Sequence, residues 1–170
     1  MLELIDECEE QMRLQKRQIG STGQPKVCIV SSCGGHLTEV RALKSAYEKY
    51  DHFYVLNHRV AVPEDMKHRT IFIRHSERDW LFLVNLYEAF RILWTNRPDV
   101  ILSTGAGPAV PFALVGNLLG IPSIFVETFA RLAEPSLSGR IMYRLARRFF
   151  YQWESLSSFY PKGICGGPIV

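Results

Sequence analysis

The sequence predicts an α/β fold, a Rossmann-like parallel sheet with helices on both faces. Three observations predict it. Short apolar runs such as Val27 to Val30, Val100 to Leu102 and Ile124 to Val126 recur along the chain, separated by segments with helical patterning. Within those runs polar residues do not alternate, as expected of strands covered on both faces. Three small-residue turns follow apolar runs, at 32–38, 103–108 and 127–139, where the loops beyond the carboxyl ends of parallel strands belong.

Residues 1–18 favour helix, acidic first and then basic through Arg13, Lys16 and Arg17, an order that complements the helix dipole. Gly20-Ser21-Thr22-Gly23-Gln24-Pro25 reads as a linker. The chain therefore divides into an N-terminal helix and linker, 1–25, and one domain, 26–170. In that domain 26–31 is a strand and 37–49 a helix. His52 to Leu56 is a second strand, and the polar stretch 57–69 with Pro63 is a loop. Thr70 to Arg74 is a third strand, 80–95 an apolar helix and Val100 to Ser103 a fourth strand. A helix over 109–119 has Pro108 and Pro111 at its start, where proline is tolerated. Ser123 to Val126 is a fifth strand, 138–147 a basic helix and Phe149 to Gln152 a short last strand.

With 170 residues, 47% hydrophobic and 22% charged, the chain suffices for one domain with a sizeable core. A net charge of +3 is too small to imply nucleic acid. Cys8, Cys28, Cys33 and Cys165 form no CxxC pair or zinc spacing, so reduced thiols in a cytosolic compartment are expected. Acidic residues among the first ten argue against a secretory signal. No apolar run reaches the roughly 20 residues that span a bilayer. The expectation is a soluble protein or one lying on a membrane surface.

The stretch Ile29-Val30-Ser31-Ser32-Cys33-Gly34-Gly35-His36-Leu37-Thr38-Glu39-Val40 is the most informative. It reads as strand, glycine loop and helix N-terminus. Gly34 and Gly35 allow close backbone approach. The first helical amides lack partners, and the helix dipole adds positive charge, so the loop suits a phosphate or diphosphate. His36 stands where it touches that anion or moves a proton beside it. Glu127 follows Ile124-Phe125-Val126. A carboxylate at a strand end orients a sugar hydroxyl or acts as a base, or else caps a helix or pairs with Arg131 or Arg140.

The helix 80–94 is apolar on more than one face. Trp80, Phe82, Leu83, Leu86, Tyr87, Phe90 and Trp94 suit a membrane interface, with Arg74, His75, Arg78, Arg91 and Arg97 placed to meet anionic lipid. A helix buried beside the sheet has the same composition. Residues 140–150 carry Arg140, Arg144, Arg147 and Arg148 among apolar positions, a basic amphipathic face.

At these loops SSCGGHLTEV resembles the GSGGHTxEM-type loop of the membrane-side subunit of the eukaryotic dolichol-linked N-acetylglucosaminyltransferase, and of its bacterial counterpart PssD. STGAGPAVP is similar to that family's second glycine-proline loop. The block from Ile124 to Val170 resembles its third block and ending. The similarity covers 26–170, with a more distant likeness to the N-terminal half of MurG, a GT-B glycosyltransferase. Cys33 stands where the family has a small glycine, and the charged segment 1–18 stands where the eukaryotic subunit has a membrane span.

The resemblance implies a GT-B enzyme split into two chains. This chain supplies the half that holds a polyprenyl-diphosphate-sugar acceptor at the cytoplasmic face of the membrane, peripheral or monotopic. A separate PssE-like partner, the C-terminal half of the fold, binds most of the UDP-sugar. The expected task is extension of a lipid-linked sugar in exopolysaccharide or capsule synthesis, with no cofactor, no nucleic acid and no metal, since helix N-termini neutralise a diphosphate. By motif position Ser32, Gly34, Gly35, His36 and Thr38 lie at the acceptor diphosphate. Gly105, Gly107 and Pro108 shape the cleft wall, and Arg131, Ser138 and Gly139 line the acceptor side. Gly166, Gly167 and Pro168 lie toward the partner. His36 and Glu127 are both candidates for the catalytic base. Two alternatives stand beside this: a non-catalytic scaffold that recruits a catalytic partner to the membrane, and a soluble nucleotide-binding Rossmann protein, the latter weakened by the lack of GxGxxG after the first strand.

Overall fold

Seven parallel strands form a single sheet in the order β3-β2-β1-β4-β5-β6-β7. The computed structural model describes residues 24–57, 62–74 and 81–169, together with Asp6 and Glu10. The strands are β1 (Lys26–Ser31), β2 (Asp51–Asn57), β3 (Thr70–Ile73), β4 (Val100–Gly105), β5 (Ser123–Val126), β6 (Arg148–Tyr151) and β7 (Ile164–Cys165). The helices are α1 (Gly35–Ala42), α2 (Lys44–Tyr47), α3 (Glu64–Lys67), α4 (Leu81–Asn96), α5 (Ala109–Leu119) and α6 (Leu137–Leu145), with a 3-10 turn at Glu154–Leu156. This is the Rossmann-like arrangement that the alternation of apolar and helical segments predicts.

Register follows from burial on two faces. Val27 pairs with His52 on one side and Val100 on the other, so β1 is central. Its Val27 and Ile29 join a core with Val40, Leu43 and Tyr47 under α1 and α2. Its Cys28 and Val30 join a second core with Ala89, Leu93 and Phe112 under α4 and α5. A third cluster continues that second face, where Phe125, Met142, Phe149 and Tyr160 pack beneath α5 and α6. A one-residue slip of β1 would exchange every side chain between the two layers. Burial also silences the Cys28 thiol, whose pKa is pushed far up by desolvation.

The chain runs outward from β1 through β2 to β3, then returns to place β4 on β1's other side. That reversal leaves a crevice at the carboxyl ends of β1 and β4. The loops 32–36 and 105–108 meet there.

Beside shifts of one or two residues at the ends of α1, α6, β2, β3 and β6, four details differ from the sequence reading. The helix predicted over 37–49 is two helices, broken at Leu43, whose N–H is shared between the carbonyls of Glu39 and Val40 at 3.1 and 3.2 Å. The loop predicted over 57–69 contains α3, started by Pro63 and carrying Glu64 and Asp65 in its first turn, where the dipole favours acids. β4 runs two residues past Ser103, to Gly105. The sheet continues past the predicted last strand into β7, pairing Phe150 with Ile164 and Tyr151 with Cys165. The helix expected over 1–18 falls, Asp6 and Glu10 apart, outside the described residues.

Candidate active site

The first turn leaves β1 with its amides divided between neighbours. Ser32 N–H donates to the Gly105 carbonyl at 3.1 Å, which ties the first turn to the second. Cys33 N–H donates to Asn57 Oδ1 at 2.9 Å, and its thiol to the Asn57 carbonyl at 3.0 Å. Gly34 then takes φ +96°, a conformation that L side chains rarely adopt, and caps α1. Its carbonyl accepts from Leu37 and Thr38 N–H at 3.0 and 3.3 Å. The amides of Gly34, Gly35 and His36 find no acceptor among the described residues. Both glycines are exposed, and a Cβ on either would meet nothing within 4 Å. These are open donors at the positive end of a helix, the arrangement that accommodates an anion.

His36 is set over the second turn. Gly105 has φ +110°, a conformation that L side chains rarely adopt, and a Cβ there would lie a tight 3.1 Å from His36 Cε1, so the ring rests close on the bare α-carbon. Thr104 Oγ1 donates to the His36 carbonyl at 3.0 Å. One turn along α1, Glu39 is buried at 4% exposure, yet His36 keeps 22% of its side chain in solvent. Glu39 Oε1 accepts from Thr128 Oγ1 at 2.7 Å and Phe129 N–H at 2.8 Å. Its Oε2 stands 3.6 Å from His36 Nδ1. Through this one carboxylate α1 is bound to the third turn, so all three turns meet at His36 and Glu39.

The third turn is filled from within. Glu127 is 1% exposed, and donors of the chain itself surround its carboxylate. Oε1 accepts from Ser136 Oγ at 2.7 Å and Thr128 N–H at 3.1 Å. Oε2 accepts from Tyr160 OH at 2.5 Å and Ser136 N–H at 3.3 Å. Ser136 Oγ caps α6 by accepting from Gly139 N–H at 2.7 Å. A Cβ on Gly139 would fall 1.7 Å from Glu127 Oε2, so only glycine fits. Burial and the bond to Glu127 together push the Tyr160 phenol far above its ordinary range. Ser136 rather than Glu127 caps the helix, and Glu127 braces that cap: both its carboxylate oxygens are taken by the chain's own donors.

The other predicted positions distribute plainly. Ser32 is half-buried in the crevice, and Gly107 is exposed beside it while Pro108 is buried at the start of α5. Thr38 faces a neighbouring cavity of about 370 Å³ shared with Arg41, Lys44, Tyr47, Tyr54 and Asp65. Arg131 is exposed, and its N–H closes a turn on the Thr128 carbonyl at 3.1 Å. Ser138 is half-buried, 3.1 Å from Ser136 Oγ, and Gly139 is sealed under Glu127. Gly166 N–H returns to the Tyr151 carbonyl at 3.0 Å, and Ile169 N–H to Gln152 Oε1 at 2.9 Å, which lays the tail along β6. Glu39, Asn57 and Thr104 were not singled out by sequence. Only Glu39 left a signal, its spacing of three from His36 on one helix.

On α4, Leu83, Tyr87, Phe90 and Trp94 are 67, 64, 47 and 56% exposed. They recur at helical spacing along one outward stripe, and Phe90 stacks on Trp94 with centroids 5.8 Å apart. Phe82 and Leu86 are half-buried, with Leu86 packed on the second core, and Trp80 lies outside the described residues. Among the described residues no helix is long and apolar enough to cross a membrane.

The family described as "Oligosaccharide biosynthesis protein Alg14 like" matches residues 59–169. A human protein named "UDP-N-acetylglucosamine transferase subunit ALG14" is 28% identical over 178 residues, covering 85% of this chain and 82% of its own. A Myxococcus xanthus pyrophosphoryl-undecaprenol N-acetylglucosamine transferase is 31% identical over 85 residues, 48% of this chain and 21% of that protein. Among solved structures, Acinetobacter baumannii MurG superposes with TM-score 0.58 at 19% identity, covering 75% of this chain and 41% of that one. Rickettsia bellii UDP-N-acetylglucosamine 2-epimerase gives 0.68 at 12% identity, covering 86% and 45%. This chain spans less than half the length of either structure, and what it shares with them is the fold.

Proposed function

This chain belongs to the Alg14-like family of oligosaccharide biosynthesis proteins, and from that premise we propose that it is the acceptor-binding, membrane-associating subunit of a two-chain UDP-sugar glycosyltransferase. One observation carries the reading. At the switch point of the sheet, three unengaged amides of 34–36 and the partly exposed side chain of His36 stand together beside Gly105. A lipid-linked diphosphate sets its charge on those amides, and a sugar hydroxyl of the same acceptor comes within reach of the imidazole. The names of the curated relatives supply the donor class, a UDP-sugar, and the finer points follow the resemblance: a polyprenyl-diphosphate acceptor, polysaccharide synthesis, and a PssE-like partner carrying the donor.

In this reading the acceptor hydroxyl attacks the anomeric carbon, the C–O bond to UDP breaks, and UDP leaves with the electron pair. The hydroxyl proton passes to His36. His36 is preferred to Glu127 because its ring reaches solvent, whereas all the Glu127 oxygens are engaged inside. The test is transfer from UDP-N-acetylglucosamine, UDP-glucuronate and UDP-galactose to a synthetic polyprenyl-diphosphate-N-acetylglucosamine, with the chain alone and with its donor-binding partner. Turnover only with both chains is expected. Full turnover by the isolated chain overturns the split, and none from any donor with both chains present overturns the function.

The stripe on α4 supports peripheral attachment, because four large apolar side chains are spent on an outward face. Each buries its exposed half in lipid for about 1 kcal/mol. Changing Tyr87, Phe90 and Trp94 together to Ser is therefore expected to weaken liposome partitioning on the order of 10²-fold, in a variant whose circular dichroism shows it still folded. Flotation of the triple variant equal to wild type would remove α4 as the docking element. The stripe also favours the scaffold alternative, which predicts unchanged turnover after His36→Ala in the complex.

A further inference from the structure

We propose that Glu39 is the positioning residue for His36, holding the imidazole as the tautomer with its proton on Nδ1 and its Nε2 lone pair open to the acceptor. The catalytic consequence rests on the reading of His36 as base; the tautomer does not. Glu39 Oε2 and His36 Nδ1 are both buried, both lack a hydrogen-bond partner among the described residues, and lie 3.6 Å apart. A buried unpaired polar atom costs about 1–3 kcal/mol, and more when charged. A ring rotation that shortens the gap by under about 1 Å relieves both atoms with one bond of ordinary length.

The direction of that bond follows from chemistry. A carboxylate only accepts, so the imidazole must donate from Nδ1, and a neutral ring then carries no proton on Nε2. Glu39 itself is fixed, because its Oε1 already holds Thr128 Oγ1 and Phe129 N–H. His36 is fixed on its other sides by Thr104 at its carbonyl and by the bare α-carbon of Gly105 beneath the ring. Nδ1 is buried while 22% of the side chain is exposed, so the exposure lies on its other atoms. Glu39 is too buried to touch an acceptor and acts only through His36.

The test is Glu39→Gln. Two donors hold the carbonyl oxygen of the new amide in the place of Oε1, so its NH₂ takes the place of Oε2 and donates to Nδ1. The ring proton is forced to Nε2, where the lone pair had been. Imidazole ¹⁵N spectra of the full chain, with the His36 signals assigned through His36→Ala and recorded where imidazoles are neutral, read this directly. Wild type is expected to carry Nδ1–H and Glu39→Gln Nε2–H, at matching circular dichroism. In the two-chain complex the variant is expected to lose turnover on the order of 10²-fold or more in kcat with KM little changed. Nε2–H in wild type, or one tautomer in both proteins, overturns the proposal. If Glu39→Gln does not fold, the wild-type spectrum alone decides. A flipped tautomer with unchanged kcat overturns the positioning role, whereas absence of transfer in the wild-type complex overturns the function and leaves the tautomer standing.

Discussion

Replacing Glu127 with alanine is expected to lower the free energy of unfolding by about 3–5 kcal/mol. Four donors converge on that carboxylate: Ser136 Oγ, Ser136 N–H, Thr128 N–H and Tyr160 OH. Water cannot replace the lost oxygens cheaply, because Ser136, Tyr160 and Gly139 are all buried around them. Each stranded donor costs about 1–3 kcal/mol, and neighbours in one network do not simply add. Against a domain stability of roughly 5–15 kcal/mol the loss is large. Urea denaturation followed by circular dichroism measures it, as a lower midpoint at similar slope. Glu127→Gln keeps one acceptor and is expected to fall between wild type and alanine. A loss below about 1 kcal/mol for Glu127→Ala would mean that the turn holds α6 without its carboxylate.

On the proposed function, His36→Ala is expected to reduce turnover of the two-chain complex by about 10²–10⁴-fold, the contribution of a well-placed general base, with a smaller loss of stability than Glu127→Ala. The His36 side chain is 22% exposed and lies on Gly105, and it is the neighbour of a single carboxylate oxygen, where Glu127 gathers four donors. This separates it from Glu127, whose loss is felt first in folding. Steady-state kinetics with saturating UDP-sugar, alongside a thermal melt, distinguishes the two variants. Equal turnover for His36→Ala and wild type would hand the result to the scaffold alternative.

Much of this architecture was legible because parallel strands buried on both faces are short, apolar and separated by helices. β5 and α5 carry the predicted boundaries for that reason. β7 was not legible: two residues, Ile164 and Cys165, show no period. The break at Leu43 was hidden because apolar positions continue through Ala46 and Tyr47 as they would in an unbroken helix. In the crevice, Gly34, Gly35 and Gly105 could be read, since a glycine loop after a strand signals its backbone geometry. Glu127 was ambiguous by nature. A carboxylate at a strand end has one sequence appearance whether it turns out to a ligand or in to a helix, and the path of 128–136 decides between them. Glu39 was passed over because its worth lies in burial beside His36, which spacing alone does not reveal.

The outer margins of the sheet are cut short. β3 has four residues at one border and β7 only two at the other. Bare strand borders recruit further strands and seed aggregation, and brevity is one way to blunt them. Borders this brief offer little backbone for indiscriminate zipping.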